Sequence, residues 1–118
     1  MEDSGFELPK EVEGIDFRVS GIHEEDAFVR DAVYGVVVDS VKKIAKMLNV
    51  SHFSMHIKRY KEGGNRTKYS MHANMMTDKG EFFAEDSEWD ILKTSKLVLE
   101  KLEREVYKKE EKTKDHTV

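Results

Sequence analysis

Apolar Ile15, Phe17 and Val19 alternate with polar Asp16, Arg18 and Ser20, the two-residue period of a strand with one buried face, and Gly21 stops it. From about 24 to 48 the period lengthens. Val29, Val33, Val36, Val37, Ser40, Val41, Ile44, Met47 and Leu48 fall on one stripe at about 100° per residue, which predicts a helix. Its β-branched valines have weak helix propensity, so packing against a neighbour must hold it. After Asn49 alternation returns: Phe53, Met55 and Ile57 point one way, and Tyr69, Met71, Ala73 and Met75 repeat the pattern. The glycine-bearing stretch 62–66 between these runs has hairpin chemistry, and a second turn over 77–80 leads into a strand over 81–85. The last element is a helix over 87–110. Ser87 and Asp90 form a capping-box-like start, and Ile91, Ser95, Val98, Leu99, Leu102 and Val106 form its apolar stripe.

Two helical stripes and one apolar face per strand are buried most simply by one sheet covered on one side. The expectation is an α+β domain of order β-α-β-β-β-α, a four-stranded sheet with both helices on one face, as in double-stranded-RNA-binding domains. Residues 1–14 read as a flexible acidic leader, 15–110 as a single domain and 111–118 as a polar tail. A chain of 118 residues with 38% hydrophobic content suits one core. The absence of cysteine excludes disulfides, thiolate metal sites and cysteine nucleophiles. No stretch is apolar enough to be an export signal or a membrane span, which predicts a cytoplasmic protein.

Charge changes this picture in one respect. Twenty Lys and Arg against 24 Asp and Glu give a net charge of −4, so a uniformly basic nucleic-acid coat is excluded. A local basic face is not. On the last helix Lys93, Lys96, Lys101, Arg104 and Lys108 lie away from the apolar stripe, and on the first helix Lys42, Lys43 and Lys46 lie outside the valine stripe. Helices packed side by side would present these cations to one side, where local potential governs the encounter with an anionic polymer. The other reading is a solvated face of weak lysine–glutamate pairs, since Glu100, Glu103, Glu105 and Glu111 are interleaved.

His56 and His72 are placed on neighbouring strands of the polar sheet face near Asn74, but no third ligand or metal-binding spacing accompanies them, so neither a metal nor another cofactor is expected. Met55, Met71 and Met75 are expected to fill the core. Phe82, Phe83 and Trp89 are expected at the sheet–helix junction, with base stacking from the open face as the other possibility.

The run GEFFAEDSEWDILKTSKLVLEKLER over 80–104 resembles the ribosome hibernation-promoting factors and ribosome-associated translation inhibitors. The resembling positions are Gly80, Glu81 and Ala84 in a strand, Asp90 opening a helix, and Lys101, Leu102, Glu103 and Arg104, followed by Lys108 and Lys109. It departs from the family pattern at Leu92 and at Thr94, Ser95 and Lys96, and the segment carrying Glu24, Glu25 and Asp26 is longer than usual. The resemblance implies a non-enzymatic factor that docks on the small ribosomal subunit, occludes the channel for messenger and transfer RNA, and inhibits translation during stasis. It also implies that outer-face cations of the two helices meet ribosomal RNA: Lys42, Lys43 and Lys46 on the first, and Lys101, Arg104 and Lys108 on the last, and Lys93 joins this expected RNA-binding set from its place on the same helix face. The alternative is a protein-interaction module, such as a homodimer joined through the uncovered sheet face at His56, Lys58, His72 and Asn74.

Overall fold

The computed structural model describes residues 12–62 and 64–116, the side chains of 62 and 111–116 excepted. Strand β1 (Asp16–Ser20) is followed by a 3-10 turn (Ile22–Glu24), helix α1 (Ala27–Ala45), strands β2 (Val50–Glu62), β3 (Arg66–Thr77) and β4 (Gly80–Glu88), and helix α2 (Ile91–His116). This is the expected α+β order. The sheet runs β1-β2-β3-β4, with β1 parallel to β2 and the other pairs antiparallel. A parallel neighbour needs a long crossover, which α1 supplies, whereas tight turns suffice for the two hairpins.

One face of every strand is buried. Val19, Phe53, Met55, Ile57, Met71, Ala73, Met75, Phe82 and Ala84 form a core with Val33, Val37, Val41 and Ile44 of α1 and with Val98, Leu99, Leu102 and Val106 of α2. The three strand methionines fill this core as expected. The helical stripes are buried as their periodicity requires, and the two buried hydroxyls of α2 are satisfied within the helix: Thr94 Oγ1 donates to the Asp90 carbonyl at 2.7 Å, and Ser95 Oγ to that of Leu92 at 2.7 Å.

The boundaries differ from the sequence expectation for identifiable reasons. Helix α1 starts at Ala27 rather than 24 because Asp26 caps it, its Oδ1 accepting from the Val29 N–H at 2.9 Å. Glu24 and Glu25 thus stay outside the helix. Glu25 instead receives Arg59, with Nε at 2.9 Å and Nη2 at 2.7 Å from the same oxygen; the second contact is ionic rather than an aligned hydrogen bond. Helix α2 starts at Ile91 rather than 87. Ser87 remains in β4 opposite Ser70, where ladder pairing satisfies its backbone better than a local cap would. Asp90 takes over the start, its Oδ1 accepting from the Leu92 N–H at 3.0 Å. Val12 lies inside the stretch expected to be a leader, yet it is fully buried, so packing begins before Ile15. At the other end α2 continues to His116, beyond the expected 110. Residues 1–11 and 117–118, the rest of the expected leader and the last of the tail, lie outside the described residues.

Candidate nucleic-acid interface

Five of the helix cations line two different hollows. Lys101, Arg104 and Lys108 project from α2 toward the edge strand and line a shallow strip with Phe83, Glu85 and Glu105. Lys43 and Lys96 instead face the groove between α1 and α2, which they share with Asp39, Glu100 and Glu103.

Acidic partners accompany most of these cations. Lys101 Nζ lies 3.2 Å from Asp86 and donates to the Glu85 carbonyl at 3.1 Å. Lys108 is 3.8 Å from Glu105, Lys93 is 3.9 Å from Glu88, and Lys43 is 3.9 Å from Glu103. Glu103 is only 16% exposed and also accepts from Ser40 Oγ at 2.5 Å, so this carboxylate ties the two helices together. Lys46 and Arg104 are exposed, and Lys42 is half-buried near the end of α1.

The resembling positions now have physical roles. Gly80 opens β4 at φ 116°, Glu81 accepts from Asn74 Nδ2 at 2.6 Å, Ala84 and Leu102 are core, and Asp90 is the helix cap.

On the uncovered sheet face His56 and His72 are directly opposite each other in register. Ser20 Oγ is 2.6 Å from His56 Nδ1, and Glu85 is 3.0 Å from His72 Nδ1. The row therefore reads Ser20, His56, His72, Glu85 across four strands. A second row pairs Asp16 with His52 at 3.1 Å. Among the described residues no group of three or more His, Cys, Asp or Glu side chains could hold a metal ion. These contacts give the open sheet face a polar surface. Phe83 and Trp89 belong to this open side rather than to the sheet–helix junction: Phe83 is 56% exposed with its ring 6.3 Å from His72. Phe82, one residue earlier, is buried as expected.

The sequence reading missed a further cluster. β2 and β3 outrun their neighbours: β1 pairs only as far as His56 and β4 only as far as Tyr69, while Tyr60 pairs with Lys68, Lys61 with Thr67 and Glu62 with Arg66 in a two-stranded arm. Residues 58–68 hold five cations (Lys58, Arg59, Lys61, Arg66, Lys68) and one carboxylate, Glu62. Arg59 is consumed by Glu24 and Glu25. Among the described residues no carboxylate lies in ion-pair range of Lys58, Lys61, Arg66 or Lys68. Tyr60, Arg66 and Lys68 share the open face, and the Arg66 guanidinium lies 3.9 Å from the centre of the Trp89 ring, with Lys68 Nζ at 5.5 Å. The signal was legible as a local run of positive charge, hidden by the acidic whole-chain balance and by reading 62–66 only as a turn.

Among the described residues no helix is long and apolar enough to cross a membrane. The family model for the C-terminal domain of hibernation factor Hib matches residues 16–118, a span that takes in every strand and both helices. No curated protein matches the chain.

Proposed function

The chain belongs to the ribosome hibernation factor family through its Hib C-terminal domain, and from that premise we propose that it docks on ribosomal RNA of the small subunit and holds translation off by occlusion. A ribosome-associated, hibernating role is the family's. The finer mechanism adds that the domain sits in the messenger and transfer RNA channel as a packed body, contributing bulk and phosphate contacts and no chemistry. Such a factor acts in the cytoplasm.

The observation that carries this reading is the strip of Lys101, Arg104 and Lys108 along one flank of α2, spanning about 10 Å at the rise of a helix. An acidic chain approaching an anionic surface needs local positive potential, and these three cations lie on a rigid, well-packed element. Their pairs with Asp86 and Glu105 are surface pairs, contributing within about 1 kcal/mol each, so phosphates can replace the carboxylates at little cost. Lys42, Lys43, Lys46 and Lys93 supply further positive charge on the helical side of the domain.

Co-sedimentation of the full chain with separated ribosomal subunits tests this. The wild type is expected to pellet with small subunits at low salt and to be released as salt rises. The variant with Lys101, Arg104 and Lys108 all changed to Glu is expected to stay in the supernatant while keeping a wild-type circular dichroism spectrum. Undiminished pelleting of that variant would remove α2 from the interface, and pelleting with large subunits alone would overturn the small-subunit assignment.

A further inference from the structure

The arm end of the open sheet face differs chemically from the α2 flank. Its cations Lys58, Arg66 and Lys68 have no carboxylate partner among the described residues, whereas Lys101 and Lys108 do. It also carries aromatic surface at the level of the charges. Tyr60 is 47% exposed and has no ring or cation partner among the described residues, and Trp89 is 38% exposed beneath Arg66.

We propose that this arm end, formed by Lys58, Tyr60, Arg66, Lys68 and Trp89, binds single-stranded RNA, with the cations on backbone phosphates and the Tyr60 ring stacked on one base. Cations alone would suit any polyanion. Stacking distinguishes among them, because a base offers its face only when unpaired, and duplex RNA keeps its base faces covered within the helix. A two-stranded ribbon projecting past its neighbours reaches a strand without the helices obstructing it. Arg66 holds the indole of Trp89 in place by its cation–π contact, so the platform is ordered before the ligand arrives. This inference deepens the ribosome reading, on which it rests for the presence of RNA at the surface, yet it concerns residues distinct from the α2 strip.

Trp89 is the only tryptophan, so its fluorescence reports directly on the arm. The full chain is titrated with a short oligouridylate, with a blunt RNA duplex of equal length, and with polyglutamate. Saturable change in Trp89 emission is expected with oligouridylate, and weaker change with the duplex. Tyr60→Ala should weaken oligouridylate binding about ten- to hundredfold without altering its salt dependence. Tyr60→Phe, which keeps the ring, should restore it. Lys58→Ala and Lys68→Ala should each lower the magnitude of the log-affinity against log-salt slope by roughly 0.7. Equal affinity for the duplex, or no loss in Tyr60→Ala, overturns the stacking site; equal affinity for polyglutamate makes the partner an acidic protein and overturns it as well. The triple variant Lys101→Glu, Arg104→Glu, Lys108→Glu should keep its oligouridylate response. Failure of the wild-type chain to pellet with ribosomes while its oligouridylate response stays intact refutes the ribosome reading alone, and wild-type pelleting without any response refutes only the arm.

Discussion

Gly21 shows how one residue ties two strands together. It leaves β1 at φ 87°, and a Cβ there would run into the carbonyl oxygen of Ile57 in the adjacent strand. Any side chain must therefore accept both a left-handed backbone, which costs about 1–2 kcal/mol, and a displaced β2. Gly21→Ala is expected to lower the unfolding free energy by at least about 2 kcal/mol, read as a shift in the urea midpoint; a midpoint equal to wild type would show that β2 moves freely at Ile57. At this scale the sequence was informative about residue type and less so about role. Gly21 was legible as a stop, but not as a close backbone approach, because its partner is 36 positions away. Likewise Ser87 and Asp90 were both plausible helix starts, and only pairing of Ser87 with Ser70 decided for Asp90.

Each element has a buried face that periodicity revealed and an outer face whose chemistry depends on its neighbours. The outer cations of α2 looked alike on a helical wheel. Once α1 and β4 are in place, Lys96 faces a groove lined with carboxylates, whereas Lys101, Arg104 and Lys108 line the flank beside β4. If that flank neutralises RNA phosphates, Lys101→Ala and Lys108→Ala should each weaken binding modestly and reduce the magnitude of the salt slope by roughly one. Lys96→Ala should leave the slope unchanged, and filter binding of ribosomal RNA at several salt concentrations checks both. An equal effect from all three would mean that the groove also faces RNA. The arm of β2 and β3 makes the same point in reverse. Its cations are separated by the turn in sequence and brought onto one face only by the register of Tyr60 with Lys68 and of Glu62 with Arg66.

For the whole molecule, charge is distributed rather than accumulated: a net −4 coexists with a basic arm and with an α2 flank whose cations stand beside carboxylates. Stability has its own pH signature. Burial raises the Tyr34 phenol above its ordinary 10, with Arg30 opposing; for Tyr69, burial acts first, Glu25 adds to it, Arg59 opposes, and Asp90 adds a further increase. A raised folded-state pKa means that the unfolded chain loses its proton first, so this contribution is complete below pH 10 and disappears as pH rises through the raised values. Urea unfolding is expected to show a midpoint that falls progressively above pH 10, less so in Tyr34→Phe; an unchanged decline in that variant would assign the effect to other groups. The sequence by itself determined the element order, the buried stripes and the single core, because periods of two and 3.6 residues report which positions must leave water. It also carried the family resemblance in the run over 80–104. Tertiary structure decided the parallel edge pairing of β1, the division of the helix cations and the cationic, aromatic arm. Those depend on which side chains meet across strands and helices, and a one-dimensional pattern of burial does not encode such neighbours.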